Sequence, residues 1–221
     1  MHDRVTDEGE SMELEKRNST LRDFFNEKAD GYDDVHALLM DTKDALVDAV
    51  PEDAKNILDI GVGTGLELIG LFKKLPDARV TGIDMCENML AILRTRPFAD
   101  KVSIVQGDFF AVDYGSEYDV VISSSALHHF SAEDKLGLYK KIFASLRPGG
   151  EFINSDCIAN TETEERDAFE AYVRADATEH VDTPLCRAKE EMLLRKAGFE
   201  ILSVTDLANP IYKLIVARKN N

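Results

Sequence analysis

Long apolar runs are missing from this 221-residue chain. None approaches the roughly 18 residues that suggest a membrane span, so a transmembrane protein is not expected. Cations are scarce: 26 Lys and Arg stand against 42 Asp and Glu, a formal charge of −16. Phosphate backbones select clustered cations, which disfavours nucleic acid as a partner and an anionic membrane surface likewise. Cysteine is sparse, and Cys86, Cys157 and Cys186 form no C-x-x-C pair or zinc spacing. Reduced thiols, a cytoplasmic location and no metal centre follow as expectations. The first 17 residues are too polar for a secretory signal and too acidic for a transit peptide. Internal repeats and low-complexity linkers are absent, so one domain is expected.

A 44% hydrophobic content is enough to build a core. Ile57–Ile60, Val80–Ile83, Val102–Val105, Val120–Ile122 and Phe152–Ile153 are short, rich in β-branched residues and without polar alternation. That pattern suits parallel strands covered on both faces. Between them lie helical spacings such as Leu66, Ile69, Leu71 and Phe72, or Leu138, Tyr139, Ile142 and Phe143. Ser131 and Asp134 read as a capping box opening a helix that ends at Arg147-Pro148-Gly149-Gly150. Thr161–Thr178 reads as an acidic helix with Phe169, Tyr172 and Val173 as its apolar side. Thr183-Pro184 reads as a helix start and Gly198 as that helix's stop. Ile201–Val204 and Tyr212–Ala217 read as two antiparallel closing strands joined through Asn209-Pro210. The whole predicts a doubly wound α/β domain over residues 51–221, with a helical extension or lid over 1–50.

Chemistry concentrates where the strands end. Ile57-Leu58-Asp59-Ile60 runs into Gly61, Gly63 and Gly65 and then into a helix, so a ligand can lie against bare backbone near a helix N-terminus. The G-x-G-x-x-G spacing of dinucleotide-binding turns is not met, because position 66 is Leu. Asp84 ends the second strand, where a carboxylate can accept ribose hydroxyls. Gln106-Gly107-Asp108-Phe109 follows the third, and Ser123-Ser124-Ser125 the fourth. Any one of these has a plain alternative, such as Asp84 capping a helix; four together at one sheet edge indicate a pocket.

The stretches ILDIGVGTG, GIDMCENML, QGDFF, YDVVISSSALHHF and LRPGGEF resemble the class I S-adenosylmethionine-dependent methyltransferases, from about Phe25 to Arg218. The resemblance implies a Rossmann-like seven-stranded sheet ordered 3-2-1-4-5-7-6 with strand 7 antiparallel. It further implies that Asp59, Gly61, Gly63 and Gly65 surround the methionine moiety and that Asp84 holds the ribose. Met85 would line the adenine, Asp108 would meet its amino group, Phe109 would form a wall, and Ser123 would lie near the sulfonium. Phe25 to Asp33 resembles the F-D-x-x-A-x-x-Y-D segment of small-molecule members, including the quinone-biosynthesis type, with Asn26 in place of the first Asp. Tyr32 would then fold over the cofactor, the alternative being an aromatic that only packs the extension.

Transfer from a sulfonium to a small-molecule acceptor, leaving S-adenosylhomocysteine, is an in-line displacement that mainly needs alignment. A base helps where the acceptor must lose a proton, which makes His128 and His129 candidates beside Tyr32. Adjacent side chains diverge, so both are not expected to face one pocket or to share a metal. His2, His36 and His180 read as solvated or peripheral, and Cys157 as a small buried filler beside Asp156. Residues 20–50 and 157–186 would form the lid over the acceptor, and a homodimer is compatible with such a domain. The rival expectations are a non-catalytic cofactor-binding protein, an NAD-dependent oxidoreductase, and an enzyme using a modified S-adenosylmethionine, for which no cation stands among Ser123 to Phe130.

Overall fold

The computed structural model describes residues 18–174 and 182–220. His2, His180 and the side chains of Tyr172 and Val173 lie outside what is described. Seven strands form one sheet ordered β3-β2-β1-β4-β5-β7-β6. They are β1 (Asn56–Ile60), β2 (Arg79–Asp84), β3 (Val102–Gln106), β4 (Tyr118–Ser124), β5 (Leu146–Cys157), β6 (Glu200–Asp206) and β7 (Tyr212–Arg218). β1 to β5 run parallel, and β7 inserts antiparallel between β5 and β6. This is the expected sheet order.

The helices are α1 (residues 18–28), α2 (Tyr32–His36), α3 (Met40–Ala49), α4 (Leu66–Lys74), α5 (Glu87–Leu93), α6 (Ala132–Ser145), α7 (Glu162–Arg174) and α8 (Arg187–Ala197). Alternate strand residues point to opposite faces, and the apolar side chains divide accordingly. Leu58, Ile60 and Val121 pack with Leu138, Ile142 and Leu194 from α6 and α8. Ile57, Val120 and Ile122 pack with Leu46, Leu68, Leu71 and Leu90 from α3, α4 and α5. Both faces are therefore dry, which is why the strands lack polar alternation.

Across the first face, Lys135 of α6 and Glu190 of α8 form a buried ion pair, and the Tyr139 hydroxyl donates to the same carboxylate at 2.5 Å. This pair fixes α8 against α6.

The Ser131–Asp134 capping box opens α6, and Gly198, at φ 111°, closes α8. α6 ends at Ser145, before residues 147–150, which lie in β5 with Gly149 at φ 77° and a shift of register against β4 between Tyr118 and Val120. One local expectation changes. α8 starts at Arg187, three residues beyond Pro184, because its N-cap Cys186 pairs with Ala159 in the segment that follows β5. Phe169 on α7 is more than half exposed. α3 packs into the core through Leu46 and Val47, and the residues of the extension that line the cavity lie within 18–36.

Candidate active site

Parallel strands present their carboxyl ends along one edge, and the ends of β1, β2 and β4 border a cavity of about 550 Å3 including its mouth. Gly61 and Gly63 form its floor, Asp84, Met85 and Phe109 one wall, and Ser124, Ser125, Ala126 and His129 the other. Leu21, Arg22 and Phe25 of α1, with Tyr32, roof it.

Gly61 has φ 82°, and a Cβ there would lie 2.5 Å from the Ala126 Cβ, so only glycine lets the turn close against the loop after β4. At Gly63, φ 48°, a Cβ would find nothing nearer than the Gly61 carbonyl oxygen at 3.9 Å, so bare backbone faces open space. The Gly63 amide donates to Asp84 Oδ2 at 2.9 Å, and the Cys86 amide donates to Asp84 Oδ1 at 2.8 Å. Asp84 thus ties the glycine loop to the end of β2. Burial raises its carboxyl above the ordinary range, partly offset by these amides.

Behind the loop lies a buried polar network. Lys43 Nζ donates to Glu67 Oε2 at 3.2 Å and to Ser124 Oγ at 3.1 Å. Asp59 is fully buried beside them, and neither of its oxygens meets a donor of good geometry. Burial, then the neighbouring Glu67 carboxylate, raise the Asp59 carboxyl well above its usual range.

The roof is clasped to the loop. Asp33 accepts from Thr64 Oγ1 at 2.7 Å and pairs with Arg96, whose Nε donates to the Thr64 carbonyl at 3.0 Å. Tyr32 stacks on His36 with ring centroids 3.8 Å apart. Burial raises the Tyr32 phenol far above its ordinary value, so it stays neutral and can act only as a hydrogen-bonding group.

The two histidines divide. His129 lines the cavity and meets Phe25 edge-on at 5.6 Å. His128 is absent from the lining; its Nδ1 lies 2.5 Å from Asp156 Oδ1 and its Nε2 3.2 Å from Asp182 Oδ1. Burial alone would lower its pKa, but the two carboxylates outweigh burial and raise it to about 9. The His128 ring is thus held by two carboxylates outside the cavity lining, and of the two histidines it is His129 that faces the cavity. The rings also do not diverge as expected, because the short 310 turn Leu127–His129 leaves their centroids 3.9 Å apart.

Of the remaining expected residues, Asp59, Gly65, Asp108 and Ser123 do not line the cavity. Ser123 is buried and donates to the Ile60 carbonyl at 2.8 Å, so Ser124 and Ser125 stand where Ser123 was expected. Asp108 accepts from Asn18 Nδ2 at 2.6 Å and from the Phe110 amide at 2.8 Å. Lys43, Glu67 and Asp182 were not anticipated. The first two sit on helices whose apolar spacing says nothing about which polar residue turns inward.

Residues 57–150 match the family described as "Methyltransferase domain". The match runs from β1 through β4 to the start of β5. A malonyl-[acyl-carrier protein] O-methyltransferase of Methylococcus capsulatus is 33% identical over 181 residues, covering 79% of this chain and 64% of that protein. A phosphoethanolamine N-methyltransferase of Plasmodium falciparum is 28% identical, covering 60% of this chain and 50% of that protein. The solved structure of human N-acetylserotonin methyltransferase in complex with SAM superposes with a TM-score of 0.70 at 18% identity, covering 89% of this chain and 56% of that one. The domain here spans 35%, 64% and 46% of the length of three malonyl-[acyl-carrier protein] O-methyltransferases that it matches. Among the described residues, no helix is long and apolar enough to cross a membrane.

Proposed function

We propose that this domain transfers a methyl group from S-adenosylmethionine to a small-molecule acceptor held under residues 18–36. The observation that carries the reading is the single cavity joining bare glycine backbone, the Asp84 carboxylate and the Met85 and Phe109 walls to Tyr32 and His129. The donor set fits the cofactor's chemistry. Asp84 is the acceptor for the ribose hydroxyls, Gly61 and Gly63 admit the methionine chain, and Met85 and Phe109 supply apolar surface for the adenine. When bound, the cofactor supplies an electrophilic methyl on a sulfonium.

The chain's own residues then align and shield. Ser124, backed by Lys43 and Glu67, offers a polar end to the cavity next to the glycine loop. Asp59 and Gly65 act from behind, Asp59 through the neighbouring carboxyl and Gly65 as the left-handed N-cap of α4. Tyr32 and Phe25 cover the cavity and exclude water, and the Asp33–Arg96 clasp holds them down. His129 is the base candidate, since it alone of the two histidines reaches the cavity. In this reading Asn18 and the adenine amino group compete for Asp108, so cofactor entry displaces the start of α1. Malonyl-[acyl-carrier protein] and phosphoethanolamine methyltransferases among the relatives favour a small or carrier-bound acceptor of polar character.

Methyl-labelled S-adenosylmethionine, incubated with the full chain and a panel of carboxylates, phenols and amines, tests the reading. Label transferred to one class, inhibited by S-adenosylhomocysteine, is the expected result. Cofactor binding without transfer to any class would favour a non-catalytic binding role.

A further inference from the structure

His128, His129 and Asp182 come from a short turn after β4 and from the segment before α8, more than 50 positions apart in sequence. One ligand atom from each lies within 4.8 Å of the other two. Asp182 Oδ1 is 3.2 Å from His128 Nε2 and 3.7 Å from His129 Nδ1. Ligands placed about 2.1 Å from a tetrahedral zinc-class ion stand about 3.4 Å apart, so these separations bracket that spacing.

The surroundings are those of a ligating histidine. Asp156 is buried at the end of β5 and accepts from the amides of Leu127 and Cys157 at 3.1 and 2.9 Å, which fixes its carboxylate. It also holds His128 Nδ1, which fixes the ring and presents Nε2 toward Asp182. A carboxylate–histidine–metal relay has this form. Thr183 Oγ1 donates to the His128 carbonyl at 3.2 Å, holding the segment that carries Asp182 against the turn. The two carboxylates supply the negative charge a dication requires. Two imidazoles and one carboxylate select a borderline transition ion over magnesium or calcium.

We propose that His128, His129 and Asp182 bind one divalent transition-metal ion of the zinc class at the border of the cavity. Asp156 is the positioning residue behind His128. Both histidines are buried while Asp182 is half exposed, so three protein ligands leave a coordination position for an oxygen ligand. His129 belongs both to this cluster and to the cavity lining, which puts the ion beside the space where an acceptor would sit; with the ion bound, His129 serves as a ligand in place of a base.

The test uses the full chain after chelator treatment and dialysis, titrated with Co2+ and followed by its visible absorption. The expected result is one equivalent bound with the intense bands of low-coordinate Co2+, displaced by Zn2+. Asp182→Ala and His129→Ala should each weaken binding about 100-fold or more. Asp156→Asn should weaken it roughly 10- to 100-fold while leaving the band shape unchanged. Asp182 is half exposed, so its variant keeps the test decisive if substitutions at the buried histidine fail to fold. Absence of a one-to-one species in the wild type overturns the proposal. So does Co2+ affinity unchanged in Asp182→Ala and His129→Ala, since the ion would then sit on other groups. The readout is spectroscopic, so failure of methyl transfer would not be confused with failure of the site.

Discussion

Gly61→Ala isolates the geometry on which the floor of the cavity depends. The backbone at Gly61 has φ 82°, a left-handed conformation that costs an L-residue about 1–2 kcal/mol. The new Cβ would also lie 2.5 Å from the Ala126 Cβ, far inside ordinary carbon contact, while Phe109 Cζ at 3.6 Å is an ordinary neighbour. Overpacking of this kind costs about 1–3 kcal/mol. Together the terms give roughly 2–5 kcal/mol, and for a chain of this length each kcal/mol lowers Tm by about 2–4 °C. Thermal unfolding should therefore fall by roughly 4–20 °C. The double variant Gly61→Ala/Ala126→Gly removes the clash and leaves the φ strain, so it should recover only part of the loss. A single variant as stable as the wild type would refute the reasoning. A double variant that recovers nothing would refute the assignment of the clash to Ala126.

Two further perturbations test the buried charges. The Asp59 carboxyl, ordinarily near 3.8, is raised in the folded state by burial and then by Glu67, so its stabilising share is complete below 3.8 and is lost as pH rises through the raised value. Unfolding by denaturant should show the wild type gaining stability as pH falls from neutral toward 4, relative to Asp59→Asn; parallel curves would contradict this. Lys135→Met leaves Glu190 buried with only the Tyr139 hydroxyl and should cost about 3–5 kcal/mol. Lys135→Met/Glu190→Leu should recover most of it in the same assay, and equal loss in both variants would show that packing rather than charge decides.

The sheet was legible because its strands are buried on both faces and its turns carry distinctive residues. Ile57–Ile60 leading into Gly61 located β1 and the loop, and Ser131 with Asp134 located the start of α6 to the residue. The start of α8 was misread because a local signal was overridden by a partner distant in sequence. Pro184 did not start α8, because the neighbouring segment pairs with Ala159. Within the site, residues at strand ends could be read because the fold assigns strand ends to one edge. His128 could not be separated from His129 in sequence. Their roles differ because Asp156 and Asp182, 28 and 54 positions away, converge on one ring and not on the cavity.

Calorimetric titration of S-adenosylhomocysteine into the wild-type chain and into Asp84→Ala tests the central claim most directly. Asp84 joins the glycine loop to β2 and stands in the wall of the cavity, so the account predicts one site of micromolar affinity in the wild type. It predicts a loss of about 1–3 kcal/mol in the variant, because the ribose hydroxyls lose their charged acceptor. No binding to the wild type, preferential binding of NAD, or unchanged affinity in Asp84→Ala would contradict it.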